Sequence, residues 1–418
     1  MKNFLYILFF LCAAAGSFAA DVVGDLLSKP SANKYEAQII SEAIAAPDDS
    51  AARKILLDAA SKDWAGAPLL FNLGNACFRL GLFDEAVRNF NAALQKQKFF
   101  LCYKNLAFAL EAAGKTEEAR RTFAMASAIS GNSDVQCLMR LADYAAKDGD
   151  CYSALSMCSQ ALIYSPDNMD LVYAKCLFLS RAGLAEQAGG SAFAAFSKSR
   201  QSRFLRVCAK CAFDSRNYAE AAAYLEMLLR LPDCGRDDKI SAGDAYFGAG
   251  AYRKAAHFYA QASGCDAKLQ NAAFAALNNS DAETAEFAAS KIEDKLVCAR
   301  VSGIVAARLG RTADAEKYLE TSLAAAPDDA VVLAELADAR FAAGKFAESA
   351  ELFSRLRSFD GCEKTALFGL LRSAIARKNY KLALALCGEI SSKYNSAEVK
   401  VAAEKLQKYA DELEKSAQ

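Results

Sequence analysis

The sequence is short of the residue types from which catalytic and metal centres are most often built. It has a single histidine, His257, so no histidine pair can form within the chain. It shows no Ser/His/Asp arrangement, phosphate-binding loop or dinucleotide signature at a strand-to-helix turn, and the expectation is a protein that is not an enzyme. Charge of one sign is also missing: 50 lysines and arginines balance 50 aspartates and glutamates. No basic run stands out, so nucleic acid and anionic membrane are not expected partners. Proline occurs only six times, while alanine is abundant, which favours helix over a strand-and-turn architecture. With 54% hydrophobic and 24% charged residues, the bulk of the chain should be ordered. Its 418 residues suffice for two or three domains or for one long array.

One strongly apolar run stands at the beginning. Residues 1–19 combine Lys2, an apolar stretch from Phe4 to Ala15 and the small-x-small step Ser17-Phe18-Ala19. This is the pattern of a secretory signal peptide, too short for a comfortable membrane span, and it predicts export to a periplasm or cell envelope, or secretion. No later segment reaches 18 uninterrupted apolar residues, so no integral membrane segment is expected after cleavage. Thirteen of the fourteen cysteines lie beyond this segment. In an exported protein such a number suggests disulfides, but thirteen is odd, and a chain of this length needs no staples.

Self-comparison resolves the organisation. A turn recurs at Gly81, Gly114, Gly149, Gly183, Gly250, Gly310 and Gly344, with Arg216, Ser280 and Lys378 in the equivalent slot, at separations of 30 to 35 residues. Five residues after each turn comes a small residue: Ala86, Ala119, Ala154, Ala188, Ala221, Ala255, Ala285, Ala315, Ser349 and Ala383. Seven residues before most turns stands another, from Gly74 and Ala107 through Gly243 and Gly303 to Ala337, with Leu371 the exception. Each unit reads as helix, short turn, helix. Leu70, Leu73 and Cys77 share one face of a first helix; Phe83, Ala86, Phe90, Ala93 and Leu94 form the stripe of a second. Two helices alone leave an apolar face uncovered, so the units must stack into a solenoid.

These residues resemble the tetratricopeptide-repeat (TPR) family. Residues 67–100 follow its pattern closely, with Leu70, Leu73-Gly74, Cys77, Gly81, Phe83, Ala86, Phe90 and Ala93; Pro166 and Pro327 supply the terminal proline of two other units. The resemblance implies an all-α, right-handed superhelical solenoid of about ten helix-turn-helix units, beginning near 67, 100, 135, 169, 202, 236, 266, 296, 330 and 364. Residues 20–66 form an N-terminal segment and divergent helical pair, with Pro47-Asp48-Asp49-Ser50 as break and N-cap. The solenoid spans 67–397, and 398–418 form a C-terminal capping helix with Val399, Ala402, Leu406, Tyr409 and Leu413 inward. The unit near 266–295 is short, and Gly189-Gly190 weakens a second helix.

In this register the cysteines occupy packing positions. The pair Cys208/Cys211 has the C-x-x-C spacing of redox and zinc sites, yet Cys208 takes a leucine slot and Cys211 an alanine slot. Cys158 and Cys387 stand where phenylalanines stand elsewhere, Cys176 replaces the small crossing residue, and Cys102, Cys137 and Cys298 lie in first turns. No metal or cofactor is expected. Cys234, Cys265 and Cys362 fall between units and are the candidates for oxidation or pairing. His257 should face solvent, and pairs such as Asp84-Glu85 and Glu117-Glu118 complement helix N-termini.

The TPR resemblance places a peptide-binding concave surface on the first helices. Carried over by position, it would include Phe71, Asn72, Asn75, Phe78 and Arg79, then Lys104, Asn105 and Phe108, then Arg140. Arg206, Lys210 and Phe213 would continue it, followed by Asp244, Phe247, Arg300, Asp338, Phe341 and Arg372. Asn75, Asn105 and Arg140 match the family's clamp for a C-terminal carboxylate, but Phe71 and Gln136 stand where its lysines should be. The expectation is an exported scaffold or adaptor that binds peptide segments or proteins, through a C-terminal or extended segment, in a secretion, pilus or outer-membrane complex. The alternatives are a self-associating structural subunit, or an enzyme with a site assembled in the groove.

Overall fold

The computed structural model describes residues 28–395 and 397–416. The signal-peptide segment, 1–19, and the expected inward positions Tyr409 and Leu413 lie outside the described residues and side chains. Among the described residues there are 23 helices and no strand. An entry pair, α1 (Lys34–Ile44) and α2 (Asp49–Ala60), precedes a series of hairpins. The hairpins are α3 (Ala67–Arg79) with α4 (Phe83–Lys96), α5 (Phe100–Ala112) with α6 (Thr116–Ile129), and α7 (Val135–Lys147) with α8 (Cys151–Tyr164). Next come α9 (Met169–Arg181) with α10 (Ala185–Ser199), α11 (Ser202–Asp214) with α12 (Tyr218–Leu229), and α13 (Arg236–Gly248) with α14 (Tyr252–Ala262). The last four are α15 (Asp266–Asn278) with α16 (Ala282–Ser290), α17 (Lys295–Arg308) with α18 (Thr312–Ala325), α19 (Ala330–Ala342) with α20 (Phe346–Leu356), and α21 (Glu363–Ala376) with α22 (Tyr380–Tyr394). A single helix, α23 (Ala397–Ser416), follows. The chain divides into two compact units, Met1–Cys211 and Ala212–Gln418.

The hairpins share one turn chemistry. Behind α3, the Leu82 amide reaches back to the Cys77 carbonyl (2.9 Å) and the Gly81 amide to Phe78 (3.0 Å), a Schellman closure. The same long bond recurs from Lys115 to Leu110, Asp150 to Ala145, Leu184 to Leu179, Asn217 to Ala212 and Ala251 to Tyr246. It is repeated from Asp281 to Ala276, Arg311 to Ala306, Lys345 to Arg340 and Asn379 to Ala374. This closure needs a left-handed residue between the two helices. The glycines of the slot supply it at φ of 76° to 85°, and Arg216, Ser280 and Lys378 are forced into it at 60°, 63° and 58°. The three non-glycine turns therefore carry strain of about 1 kcal/mol each that the glycine turns do not.

Close helix crossing explains the small residues. All ten residues placed five positions after the turns, from Ala86 to Ala383, have no exposed surface. On the first helices, a Cβ at Gly74 would lie 2.6 Å from the Phe90 ring, at Gly243 2.3 Å from Tyr259, and at Gly303 2.7 Å from Leu319. Each glycine thus opens room for a large side chain sixteen residues later on its partner helix. The first unit is cored by Leu69, Leu73, Phe90, Phe99 and Phe123, the second by Leu228, Leu269, Ile304, Leu319 and Phe353, all fully buried. At about 1.5–3 kcal/mol for each large apolar side chain removed from water, these rows dominate the stability of the stacks.

The ends follow local rules. Asn33 caps α1 in a capping box with Glu36, and Asp48 caps α2 through the Ala51 amide. Glu36 is buried and also accepts from the Gly66 amide (2.7 Å), so one carboxylate joins α1 to the start of α3. In α23 the inward stripe is Val399, Ala403 and Leu406. Ala402 is exposed, which corrects the inward position expected for it. The stripe runs i, i+4, i+7, and Ala402 falls on its outer edge. The Gly189-Gly190 pair leaves α10 unbroken.

Candidate functional site

The first-helix face of the first unit carries the residues expected to line a groove. Its asparagines bond to each other: Asn105 Nδ2 donates to Asn75 Oδ1 at 2.7 Å, between α5 and α3. Asn72 Nδ2 donates to the Pro68 carbonyl of its own helix (2.8 Å). Lys104 Nζ lies 2.7 Å from Asp134 Oδ2, with both side chains more than four-fifths buried. Burial pushes the Asp134 carboxyl up, but hydrogen bonds from Lys104 and the Cys137 amide outweigh it and leave it below the usual aspartate value. Arg140 faces Glu111 (3.5 Å) and Asp143 (4.0 Å), and its guanidinium covers the Phe108 ring at 5.6 Å. Tyr144 donates to the same Glu111 (3.0 Å); burial first, then this carboxylate, push its phenol up to about 12. Arg79 pairs with Asp49 (2.6 Å).

The aromatic members are spent on packing. Phe71 is half-buried between Phe90 and Phe99, 5.8 and 5.2 Å between ring centres, and Phe108 meets Phe123 edge-on at 4.9 Å. Phe78 closes on Phe83 across the turn at 5.5 Å. On α11, Arg206 Nη1 donates to Ser202 Oγ (2.9 Å) and Lys210 is exposed.

In the second unit the same positions behave alike. Asp244 accepts from Tyr259 (2.8 Å) and pairs with Lys268; Arg300 pairs with Asp329 (2.8 Å); Arg372 pairs with Asp338 and covers Phe341. Phe213 meets Tyr218, Phe247 meets Tyr252, and Phe341 meets Phe346, each pair 5.1 to 5.4 Å apart. With Phe78–Phe83 these form a recurring aromatic clasp over the turn, three residues before and two after the left-handed position. The sequence contained this signal as aromatic residues five apart around the turn slot.

The face is therefore a ladder of lateral polar pairs between neighbouring first helices. Among the expected clamp residues, Asn75 and Asn105 adjoin, while Arg140 is held by Glu111. Each rung reaches about one repeat along the chain, a separation at which no local spacing rule operates.

Two clefts on the second unit were not foreseen. One, of about 490 Å³, is walled by Phe258 and Phe287 beside Arg253, Lys254, His257 and Glu226. His257 is exposed, with Nε2 2.7 Å from Gln261 Nε2. Both cations of this cleft are paired, Lys254 with Glu226 of the same wall (3.6 Å) and Arg253 with Glu283 outside the lining (2.6 Å). The other, of about 260 Å³, lies between α16 and α18 over α17.

The thiols take packing roles. Cys208 and Cys211 are buried on α11, and Cys208 Sγ sits 3.4 Å from the Gly189 carbonyl. Burial pushes Cys102 and Cys137 up to about 12 and Cys158 and Cys176 to about 11, so these sulfurs stay protonated at neutral pH. Cys265, expected in a loop open to oxidation, is instead buried at the start of α15; Cys234 and Cys362 are half-buried. Among the described residues no cysteine is disulfide-bonded. Among the described residues no group of three or more His, Cys, Asp or Glu could hold a metal ion. No helix among them is long and apolar enough to cross a membrane.

Two family models, both of the tetratricopeptide repeat, match the chain at residues 67–98 and 306–361, one in each compact unit. No curated protein matches it. Solved structures with a similar chain course include the C-terminal part of a TPR repeat-containing protein from Cytophaga hutchinsonii, 13% identical, covering 62% of this chain and 93% of that one at a TM-score of 0.43. Another is PilF of Pseudomonas aeruginosa, 20% identical, with 46% and 90% covered and a TM-score of 0.35. A third is MamA from Desulfovibrio magneticus RS-1, 17% identical, with 40% and 97% covered and a TM-score of 0.37. Overall likeness at these scores carries no argument. The family rests on the repeat matches and on the turn and crossing chemistry that all ten hairpins share: this chain is a tetratricopeptide-repeat protein.

Proposed function

We propose that this protein is an exported scaffold that holds partner proteins along its first-helix face and serves the assembly or operation of a cell-envelope complex. Tetratricopeptide-repeat proteins are in general protein-binding scaffolds, and this chain has their fold. The observation that carries the reading is the lateral ladder of the first unit, Asn75–Asn105, Lys104–Asp134 and Arg140–Glu111. A surface whose side chains are already held by their neighbours loses little conformational freedom when a peptide docks. Partners exchange with existing polar pairs rather than ordering a floppy site. The export half of the proposal rests on residues 1–19 as read from the sequence.

In-cell crosslinking from the fractionated envelope, with mass-spectrometric identification, tests both halves. The expected result is the mature protein in the exported fraction and the same few proteins captured repeatedly. Capture should weaken in a variant combining Asn75→Ala, Asn105→Ala and Arg140→Ala. Cytosolic protein, or capture indifferent to this triple change, refutes the proposal.

A second reading, self-association as a structural subunit, draws on α8. This helix carries no charged residue along its 14 positions, and it exposes Tyr152 and Ile163 at 65% and 75%. Two copies meeting on such a face bring no like charges together. Sedimentation of the purified protein decides it: association that Ile163→Lys abolishes supports this reading, and a concentration-independent monomer removes it.

A further inference from the structure

The smaller cleft of the second unit lies beside one short helix. α16 has nine residues against fourteen in the next second helix, α18, and so does not extend along its neighbour. The gap is floored by α17, with Ser302 at its base, and edged by Glu286 and Ser290 of α16. Arg311, Asp314 and Tyr318 close it from the side of α18.

Its charges do not cancel. Arg311 pairs with Glu286, which leaves Asp314, exposed and without an ion pair among the described residues. Four residues on, Tyr318 has a 40% exposed side chain, and its hydroxyl makes no hydrogen bond among the described residues. At i and i+4 the two sit on one face of α18, about 5–6 Å apart at their Cβ atoms. A comparable pair on α12 shows what is unusual. There, Tyr224 donates to Glu220 at 2.9 Å, and the carboxylate and phenol satisfy each other. Aspartate is one methylene shorter than glutamate, and in α18 the carboxylate and the phenol stay apart.

We propose that this cleft receives a basic side chain, best an arginine, presented by a partner protein. A guanidinium laid over the Tyr318 ring gains from the electron-rich face and reaches the Asp314 carboxylate, which has no ion-pair partner among the described residues, with the same planar group. The volume, about 260 Å³, falls below the ~300–1,000 Å³ of sites for drug-sized ligands, which suits one side chain rather than a whole small molecule. In the larger cleft the lining carboxylate, Glu226, is already paired with Lys254, so no unpaired carboxylate remains. The site is separate from the first-helix ladder, so its test stands apart from the groove reading.

The test uses the full chain labelled with 3-fluorotyrosine, the Tyr318 resonance being assigned by its loss in Tyr318→Phe. N-acetyl-L-argininamide is titrated against its neutral isostere N-acetyl-L-citrullinamide, with ¹⁹F NMR as the readout. The arginine probe should shift the Tyr318 resonance saturably and bind at least fivefold more tightly than the citrulline probe. Asp314→Asn should reduce it to the citrulline level; Asp314 is exposed and unpaired, so this variant should fold, as circular dichroism will show. A non-saturating shift, equal response to both probes, or arginine binding unchanged in Asp314→Asn overturns the proposal.

Discussion

Two glycine-to-alanine substitutions within helices of the first unit should change stability in opposite directions. Gly74 lies inside α3 and Gly190 inside α10. Both replacements gain helix propensity, about 1 kcal/mol. At Gly190 nothing lies within 4 Å of the new methyl, so the gain is realised and Gly190→Ala stabilises by about 1 kcal/mol. At Gly74 the methyl would stand 2.6 Å from Phe90 Cε1, where carbon contacts prefer about 3.5–4.0 Å. Phe90 is fully buried and backed by Phe71, so its ring cannot swing into solvent. Overpacking of this kind costs about 1–3 kcal/mol. The propensity gain cancels in the difference between the two variants, which should therefore equal the overpacking cost alone. Native-state hydrogen exchange of amides in α3–α4 and α9–α10 reads each site locally, with urea unfolding by circular dichroism as the global measure. A Gly74→Ala variant as stable as Gly190→Ala would refute the crossing argument, as would clear stabilisation at both sites.

The left-handed turn slot predicts that Arg216→Gly and Lys378→Gly each stabilise by about 0.5–1 kcal/mol, whereas Gly81→Arg destabilises by about 1–2 kcal/mol; thermal unfolding of the three variants checks this. Of the thirteen described cysteines, a thiol reagent under native conditions should label the half-buried Cys151, Cys234, Cys298 and Cys362, and the nine buried ones should react only on unfolding; rapid labelling of Cys208 or Cys211 would return a reactive dithiol to consideration. Asp134 has a lowered carboxyl pKa in the fold, so its contribution is fully present above the unfolded aspartate value of about 3.9 and is lost as pH falls through the folded value. Asp134→Asn should accordingly flatten the acid limb of the stability profile between α5 and α7, read by hydrogen exchange, and leave the alkaline limb alone.

The repeat register could be read from the sequence because it is written in local chemistry. A turn that needs a left-handed residue selects glycine, and a helix crossing selects alanine or glycine, so both recur wherever the hairpin recurs. The substitutes at Arg216, Ser280 and Lys378 could be identified by position, and the structure holds all three at positive φ. The same register turned the C-x-x-C of α11 from a candidate site into two buried packing residues. Where side chains find their partners was less legible. The spacing places Phe78, Phe213, Phe247 and Phe341 on first helices without showing that each meets an aromatic ring across its turn, and Cys265, expected in a loop between units, is buried. In α23, a shift of one residue moved the inward position from Ala402 to Ala403.

The sequence by itself determined an all-helical chain of repeated hairpins, because backbone conformation and helix spacing depend on neighbours only a few residues away. Only the tertiary structure decided what the exposed polar residues do. Lys104 meets Asp134 and Asn75 meets Asn105 across about thirty residues of chain. Such pairings follow from the angle at which one hairpin stacks on the next. That angle is not encoded in a local motif. It arises from how the buried side chains of adjacent hairpins fill the space between them.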